Sequence, residues 1–410
     1  VTDALPETRR GGGFLLATAF LDAAGFGLVL PVLPALIASL TGEGMGAAAV
    51  EGGRLTFVYA AMLFLFSPLI GSLSDRFGRR PLLILAVASF ALDNLICALA
   101  PSLIWLYLGR LLSGISGSIG PTIGAYIADT SAPDDRARRF GQVGMAFGAG
   151  FVLGPALGGL VGELSPRAPF LAAALLAVVN AFVGWAFLKE SLPVEHRRPL
   201  VLAKANPFGA LRFILGAAGI GLPIVVLVLM QVAHDSLPAV WTFSLKERFG
   251  WGEREIGLTL TLVGVVMTVV TGVVVGPSVK RFGEHGAAMV GLVVAGIGFL
   301  GFAFATSGLM ITPFIAGFAF IGLVGPSLSA LMSRRVAADR QGELQGAIAA
   351  VKGITMALAP IPMTELFGYF TSDAAPIRFA GAPFLLSAVL MGMALVVIGA
   401  DRRSSCQRGS

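Results

Sequence analysis

The sequence predicts an all-α polytopic membrane protein of twelve transmembrane helices in two pseudo-symmetric six-helix bundles. Three observations lead there. Of 410 residues, 56% are hydrophobic, and the 54 glycines raise the apolar-plus-glycine share to about 69%, against about 45–50% in soluble proteins. Only 13% are charged, too little polar surface to cover a water-soluble core. Apolar runs of about 20 residues, the length that crosses a bilayer, recur along the chain, and pieces of the second half repeat the first. No segment alternates in the ten-residue pattern of a transmembrane barrel. The two cysteines, Cys97 in an apolar run and Cys406 in a polar tail, cannot build a disulfide framework. The net charge of +6 lies in short clusters between apolar runs, which argues for a topology signal and against nucleic-acid binding.

The helices follow in order. Helix 1 is expected at 13–40. Its apolar run is too long for a cleavable signal and carries Asp22 in the middle, so it stays in the mature protein. Helices 2 and 3, at 54–74 and 81–100, flank the charged segment GSLSDRFGRRP. Helix 4, at 103–129, ends where the charged stretch before helix 5 begins, and helix 5, at 139–162, is rich in glycine. Helix 6, at 168–188, closes the first half at Lys189. Helices 7 to 12 fall at 214–244, 255–279, 287–306, 309–333, 343–369 and 379–400.

The longest polar break, KESLPVEHRRPLVLAKANPFGALR, separates six helices from six. It divides the chain into an N-terminal six-helix bundle at 1–190, a cytoplasmic linker at 191–212, a C-terminal bundle at 213–400 and a cytoplasmic tail at 401–410. Segments on one side of the membrane hold 21 of the 29 Lys and Arg, the other side holds six, and Arg110 and Lys352 lie inside helices. This bias places both termini in the cytoplasm. Trp105, Trp185, Trp241 and Trp251 fall at predicted helix ends, where an aromatic belt is expected.

An offset of 205 aligns the halves. Gly71, Arg76, Phe77 and Gly78 match Gly276, Arg281, Phe282 and Gly283; Gly120 and Pro121 match Gly325 and Pro326; Gly141 and Pro155 match Gly346 and Pro360. Parallel repeats of this kind place a substrate site at their interface near the midplane and suggest alternating access.

A charge at a helix centre costs about 2.5–3.5 kcal/mol on insertion scales, so each needs a reason. The candidates for proton coupling or for lining a cavity are Asp22, Asp93, Arg110, His234, Asp235 and Lys352. Burial favours a neutral acid and a neighbouring arginine favours the carboxylate, so a conformational change that exchanges these surroundings moves a proton. The plainer reading is a permanent ion pair that fixes packing. Asp93 and Arg110 could make one across helices 3 and 4, and Asp235 and Lys352 could pair in one state. His234 and Asp235 are adjacent in MQVAHDSLPAVW and form a candidate protonation site. Neighbours on a helix point about 100° apart, so at most one faces a cavity squarely. For the same reason His234, Asp235 and Ser236 are no hydrolase triad.

The segment 71–81 is expected to be a cytoplasmic loop. Gly71 and Gly78 allow close backbone approach there, and Asp75, Arg76, Arg79 and Arg80, with Asp129 at the end of helix 4, can form a gate that latches in one state. Helix 4 carries Arg110, Gly114, Gly117, Pro121 and Gly124 at helical spacing. Helix 5 carries Gly150, Gly154, Pro155, Gly158 and Gly159, a stripe that lets helices pack closely. No zinc pattern, phosphate loop or nucleotide fingerprint occurs. The expectation is no cofactor, protons as the coupling ion, and a transporter rather than an enzyme.

These segments resemble a family. GSLSDRFGRRP, YLGRLLSGISGS and GFVLGPALGG look like motifs of the major facilitator superfamily, the last of its proton-driven exporters. FLDAAGFGLVLPVLP, AYIADTSAPDDRARRFG and RQGELQG are similar to its tetracycline-efflux (TetA-type) branch. The resemblance implies the major facilitator fold and a proton-coupled antiporter that exports an amphipathic small molecule across the inner membrane. It makes Asp22, Asp93 and Arg110 coupling and cavity residues, and Asp75, Arg79 and Asp129 gate residues. Where that branch has a glutamine in helix 2, a histidine in helix 8 and an aspartate in helix 9, this chain looks to have Leu63, Met267 and Ala295. The expected partners are a small-molecule substrate and the lipid bilayer, with no nucleic acid, and the protein is expected to act as a monomer. An uptake symporter or facilitator fits the same residues. So does a non-transporting receptor or scaffold, although the intramembrane charges argue against it.

Overall fold

The computed structural model describes residues 6–199, 213 and 219–409. Among them the regular elements are helical, and eleven continuous helices are long and apolar enough to cross a membrane. One of these, Glu253–Phe304, has 52 residues. At ~1.5 Å per residue it would measure ~78 Å, more than twice a hydrocarbon core of ~30 Å. It breaks at Gly283, whose φ of 69° and ψ of 174° no helix contains. Helices 8 and 9 therefore meet there, and with that break the described residues hold twelve helices of membrane-crossing length, the number expected.

Prolines and glycines set the interruptions. Helix 1 runs Pro6–Val29, pauses, and resumes as Leu33–Thr41 with Pro34 in its first turn, where a missing N–H leaves no bond unmade. Helix 4 consists of Leu103–Ser116 and Gly120–Thr130 around a tight 3₁₀ turn at Gly117–Ile119. Its repeat partner, helix 10, is broken in the same way at Phe320–Leu323, between Gly308–Ala319 and Val324–Ser333. Helix 11 changes over at Ala359, from Gln341–Leu358 to Pro360–Thr371.

Three boundaries differ from expectation. Helix 2 spans Met45–Phe77 and helix 3 starts at Arg79. The expected loop at 71–81 is thus almost entirely helical, and Gly78 alone turns the chain. It does so with φ 107°, a conformation that favours glycine, and its N–H still donates to the Ser74 carbonyl at 3.1 Å. Helix 5 spans Pro133–Gly162, with Pro133, Asp134 and Asp135 opening its first turn. Helix 12, Ala382–Gly409, carries on through most of the expected tail, because no glycine or proline breaks ADRRSSCQR. Helices 3, 6 and 7 are Arg79–Leu99, Ala168–Phe187 and Gly221–Phe249. Most of the expected linker, 200–212, and the start of expected helix 7, 214–218, lie outside the described residues.

Two compact units result. One comprises Val1–Gly42, Val58–Pro207 and Gly252–Thr261; the other comprises Glu43–Phe57, Phe208–Trp251 and Leu262–Ser410. The first has a core of Phe14, Leu15, Leu83, Val87, Tyr126, Ile127 and Leu188. The second is built around aromatic rings. Trp241 is wholly buried, edge-on to Phe302 with centroids 4.8 Å apart and to Phe384 at 6.1 Å. Trp241 therefore belongs to the core rather than to an interfacial belt, since an indole buries up to ~250 Å² when rings surround it.

Arginines on the sparsely charged side close helix ends. Arg167 donates to the carbonyls of Ala98 and Ala100, both at 2.8 Å, at the end of helix 3. Arg248 donates to Phe302 at 2.7 Å, and also to Ala303 and Ala305, at the end of helix 9. These carbonyls have no partner within their own helix, and a cation there also meets the negative end of the helix dipole.

Candidate functional site

In the first unit, Asp22 sits in the middle of helix 1, with Thr18 one turn before it and Gly25 one turn after. It lines a small pocket with Leu21, Phe90, Ser116, Gly117 and Asn180, among others. The Phe90 ring passes close to Gly25, where a Cβ would stand 2.6 Å from its Cζ. Asn180 of helix 6 donates to the Thr18 hydroxyl at 3.0 Å, so both polar groups are satisfied within the wall. Asp22 has no ion pair among the described residues.

Asp93 is placed differently. Its side chain is fully buried, and Arg110 of helix 4, 14% exposed, donates from Nη2 to both carboxylate oxygens at 3.3 and 3.4 Å. Cys97 Sγ lies 3.5 Å from Oδ1. Gly109 makes this approach possible, because a Cβ there would stand 2.7 Å from the same oxygen. Asp93 and Arg110 thus form the pair anticipated across helices 3 and 4. Tyr59 of helix 2 interacts electrostatically with Asp22, Asp93 and Arg110 together, and its hydroxyl faces Gly117 at the cavity. Sequence reasoning missed it, although a phenol inside an apolar run was available as a signal.

In the second unit, Asp235 is buried and accepts from Gln231 at 2.9 Å, with His234 Nδ1 at 3.2 Å from the same oxygen. Its other oxygen, Oδ2, is buried with no hydrogen-bond partner among the described residues. The half-buried His234 ring stacks on Phe318, centroids 6.0 Å apart. As the helical geometry requires, one of the two neighbours is buried and the other reaches outward. Lys352 is exposed and makes no ion pair among the described residues; the anticipated Asp235–Lys352 pair is not formed.

The gate residues converge around Arg79, which is buried at the start of helix 3. Its Nε donates to Asp129 at 3.2 Å, and its Nη1 donates to Ser74 at 3.0 Å and to Asp75. Glu190, just past helix 6, accepts the backbone N–H groups of Arg79 at 2.8 Å and Arg80 at 3.3 Å. It thereby satisfies the free donors of a helix start, where a negative charge is favoured. Gly78 is indispensable here, since a Cβ would stand 2.7 Å from the Glu190 carboxyl carbon. Arg80 donates to the Trp185 carbonyl at 2.7 Å, and Ser191 donates to Asp129 at 3.1 Å. Arg76 instead points outward over the Phe77 ring, and Gly71 packs against Pro121. Glu190 was also missed, because it reads in sequence as part of a polar linker.

The helix 5 glycines do what small residues do in membranes. At Gly150, Gly154 and Gly158 a Cβ would collide with the backbone of helix 1; at Gly154 it would stand 2.6 Å from the Ala24 carbonyl oxygen. Pro155 lies against Gly27, and Gly159 against the backbone of Glu253 and Arg254 in the same unit.

A charged, tightly packed helical wall around a small cavity is the construction of a membrane transporter, and the Major Facilitator Superfamily model matches residues 15–360. The chain belongs to that superfamily. Across 97% of both chains it is 38% identical to the class C tetracycline resistance protein of Escherichia coli. It is 37% identical to the class G protein of Vibrio anguillarum, over 85% of this chain and 88% of that one. Its place in the superfamily is the TetA-like branch. A solved structure of a bacterial homologue of the human lysosomal transporter Spinster superposes with a TM-score of 0.80 at 16% identity, covering 98% of each chain. The nucleoside transporter NupG superposes with a TM-score of 0.74 at 13% identity, over 96% of this chain and 98% of that one. At these identities the two structures speak for the fold alone.

Proposed function

We propose that this transporter is a proton-coupled antiporter of the inner membrane, with both termini cytoplasmic, that exports an amphipathic small molecule by alternating access. The observation that carries the proposal is the contrast between two intramembrane carboxylates. Asp93 is neutralised in place by Arg110, so its charge organises helices 3 and 4. Asp22 faces a cavity without a countercharge among the described residues. A carboxyl group so placed serves the transport cycle by taking up a proton, or a cationic or hydroxyl group of the substrate, when its surroundings change. Phe90 and Leu21 supply an apolar wall, while Thr18, Ser116 and Asn180 supply polar contacts, which suits a molecule with both characters.

Tetracycline is one candidate cargo, since relatives carry that name. The polar contacts to it would differ here, because Leu63, Met267 and Ala295 are apolar and Ala295 is wholly buried. Gln231, His234 and Asp235 in helix 7, and Lys352 in helix 11, are the second unit's candidates for the polar role. No cofactor is needed beyond the proton, and the monomer is the working unit. The test is a flux assay in proteoliposomes with an imposed pH gradient, using tetracycline and a panel of cationic and neutral amphipathic compounds. Gradient-dependent movement of at least one compound supports antiport, and flux indifferent to the gradient contradicts it.

A further inference from the structure

The cytoplasmic end of the second unit carries a charge constellation that the gate motif does not describe. Asp401, 6% exposed on its side chain, accepts a two-pronged interaction from Arg335, with Nη1–Oδ1 at 2.8 Å and Nη2–Oδ2 at 2.7 Å. His285 Nε2 lies 2.9 Å from Oδ2. Arg335 Nη1 also donates to the Gly219 carbonyl ahead of helix 7 at 2.7 Å. Beside this, Glu284 pairs with Arg334 at 2.5 Å.

The repeat offset gives these contacts a meaning. Glu284 is the counterpart of Arg79 and Arg334 that of Asp129, so the pair that ties helix 3 to helix 4 recurs between helices 9 and 10 with its charges exchanged. The turning glycines correspond as well, Gly78 to Gly283. In the first unit an acid past helix 6, Glu190, holds the start of helix 3. In the second an acid in the C-terminal part of helix 12, Asp401, holds the start of helix 9 through His285. In both units the start of the third helix and the end of the fourth are tied to an acid that lies in the last helix or just past it.

We infer that Asp401 is a positioning residue of transport, the centre of a second cytoplasmic clamp that reproduces the Arg79 clamp with its charges exchanged. The two parts of this clamp differ in weight. Arg334 is 73% exposed, and a solvated ion pair contributes little. The Arg335–Asp401 interaction is two-pronged, with side-chain exposures of 21% and 6%, and such charge-assisted bonds are the strong ones. The clamp therefore depends on Asp401 and Arg335, while Glu284–Arg334 adds selectivity of pairing. Its consequence is that the start of helix 9, the end of helix 10 and helix 12 around Asp401 move as one piece.

Hydrogen–deuterium exchange on the full-length protein in nanodiscs tests this without any substrate. Asp401→Asn should speed exchange of the amides at 284–290 by about tenfold or more. The amides at 79–85 should keep their rate, which a general loss of stability would not allow. Asp401→Glu should remain near wild type, and Glu284→Gln should change exchange by less than about threefold. Where Asp401→Asn fails to fold, Arg335→Lys, which keeps the charge but loses the two-pronged geometry, should give an intermediate acceleration. In inverted vesicles with tetracycline as probe, these variants should lower turnover and leave KM unchanged. Wild-type exchange at 284–290 in Asp401→Asn or Arg335→Lys overturns the inference, as does equal acceleration at 79–85. A wild-type protein that does not move tetracycline counts against that cargo, and the exchange result still decides the clamp.

Discussion

Removing Arg110 should be among the most damaging single changes to the first unit. Arg110→Ala leaves the Asp93 carboxylate fully buried without its partner at 3.3 Å. With an effective dielectric constant of about 20, two unit charges at that distance attract by about 5 kcal/mol, and breaking a buried pair from one side typically costs about 3–5 kcal/mol. That is a large fraction of the roughly 5–15 kcal/mol that holds a domain together. For a unit of about 200 residues it corresponds to a fall in melting temperature of about 6–20 °C. The assay is thermal unfolding of the purified protein in detergent, followed by fluorescence-detected size exclusion. The double variant Asp93→Asn with Arg110→Gln should recover most of the loss, because no buried charge remains. It should still transport poorly if the pair also shapes the neighbouring cavity. An Arg110→Ala protein melting within about 2 °C of wild type, or a double variant no better than the single, would refute the reasoning.

Other positions give independent checks. Gly154→Val should disrupt the helix 1–helix 5 contact, because even a Cβ would stand 2.6 Å from the Ala24 carbonyl oxygen; folded protein recovered from membranes should fall sharply, with Gly13→Ala, which has open space, as control. Gly78→Ala should cost about 1–3 kcal/mol for its φ of 107° and displace Glu190, seen as a lower melting temperature and slower transport. Glu190→Gln keeps the shape but weakens acceptance from the N–H groups of Arg79 and Arg80. It should destabilise by about 1 kcal/mol and reduce turnover more than substrate affinity, measured as a split between kcat and KM.

Membrane proteins expose their fold unusually well in sequence, and this chain does so because lipid forces every backbone group into a helix. The twelve crossings, the internal repeat and the intramembrane charges could all be read from the order of residues. The details that depended on exact turn geometry could not. The segment at 71–81 carries enough glycine and charge to look like a loop, yet one glycine in a left-handed conformation lets two helices meet almost end to end. Trp241 lies near a predicted helix end, and nothing in its neighbours announces Phe302 and Phe384, from distant helices, whose rings meet it edge-on in the core. The site followed the same division. Asp93 and Arg110, seventeen residues apart on adjacent helices, were readable as a pair. Glu190 and Asp401 were not, because each acts on helix starts more than a hundred residues away. The Asp235–Lys352 pair, expected in one state only, is not formed in this one, where Asp235 is buried against Gln231 and Lys352 is exposed.

The account rests on Asp22 being the carboxylate left free to work, and one measurement tests that most directly. Wild-type protein and Asp22→Asn are reconstituted at matched amounts, and gradient-driven flux is followed for whichever panel compound the wild type moves, with and without a collapsed pH gradient. The account predicts that Asp22→Asn loses gradient-driven flux while folding and melting like wild type. Gradient-driven flux in Asp22→Asn equal to that of the wild type would contradict it.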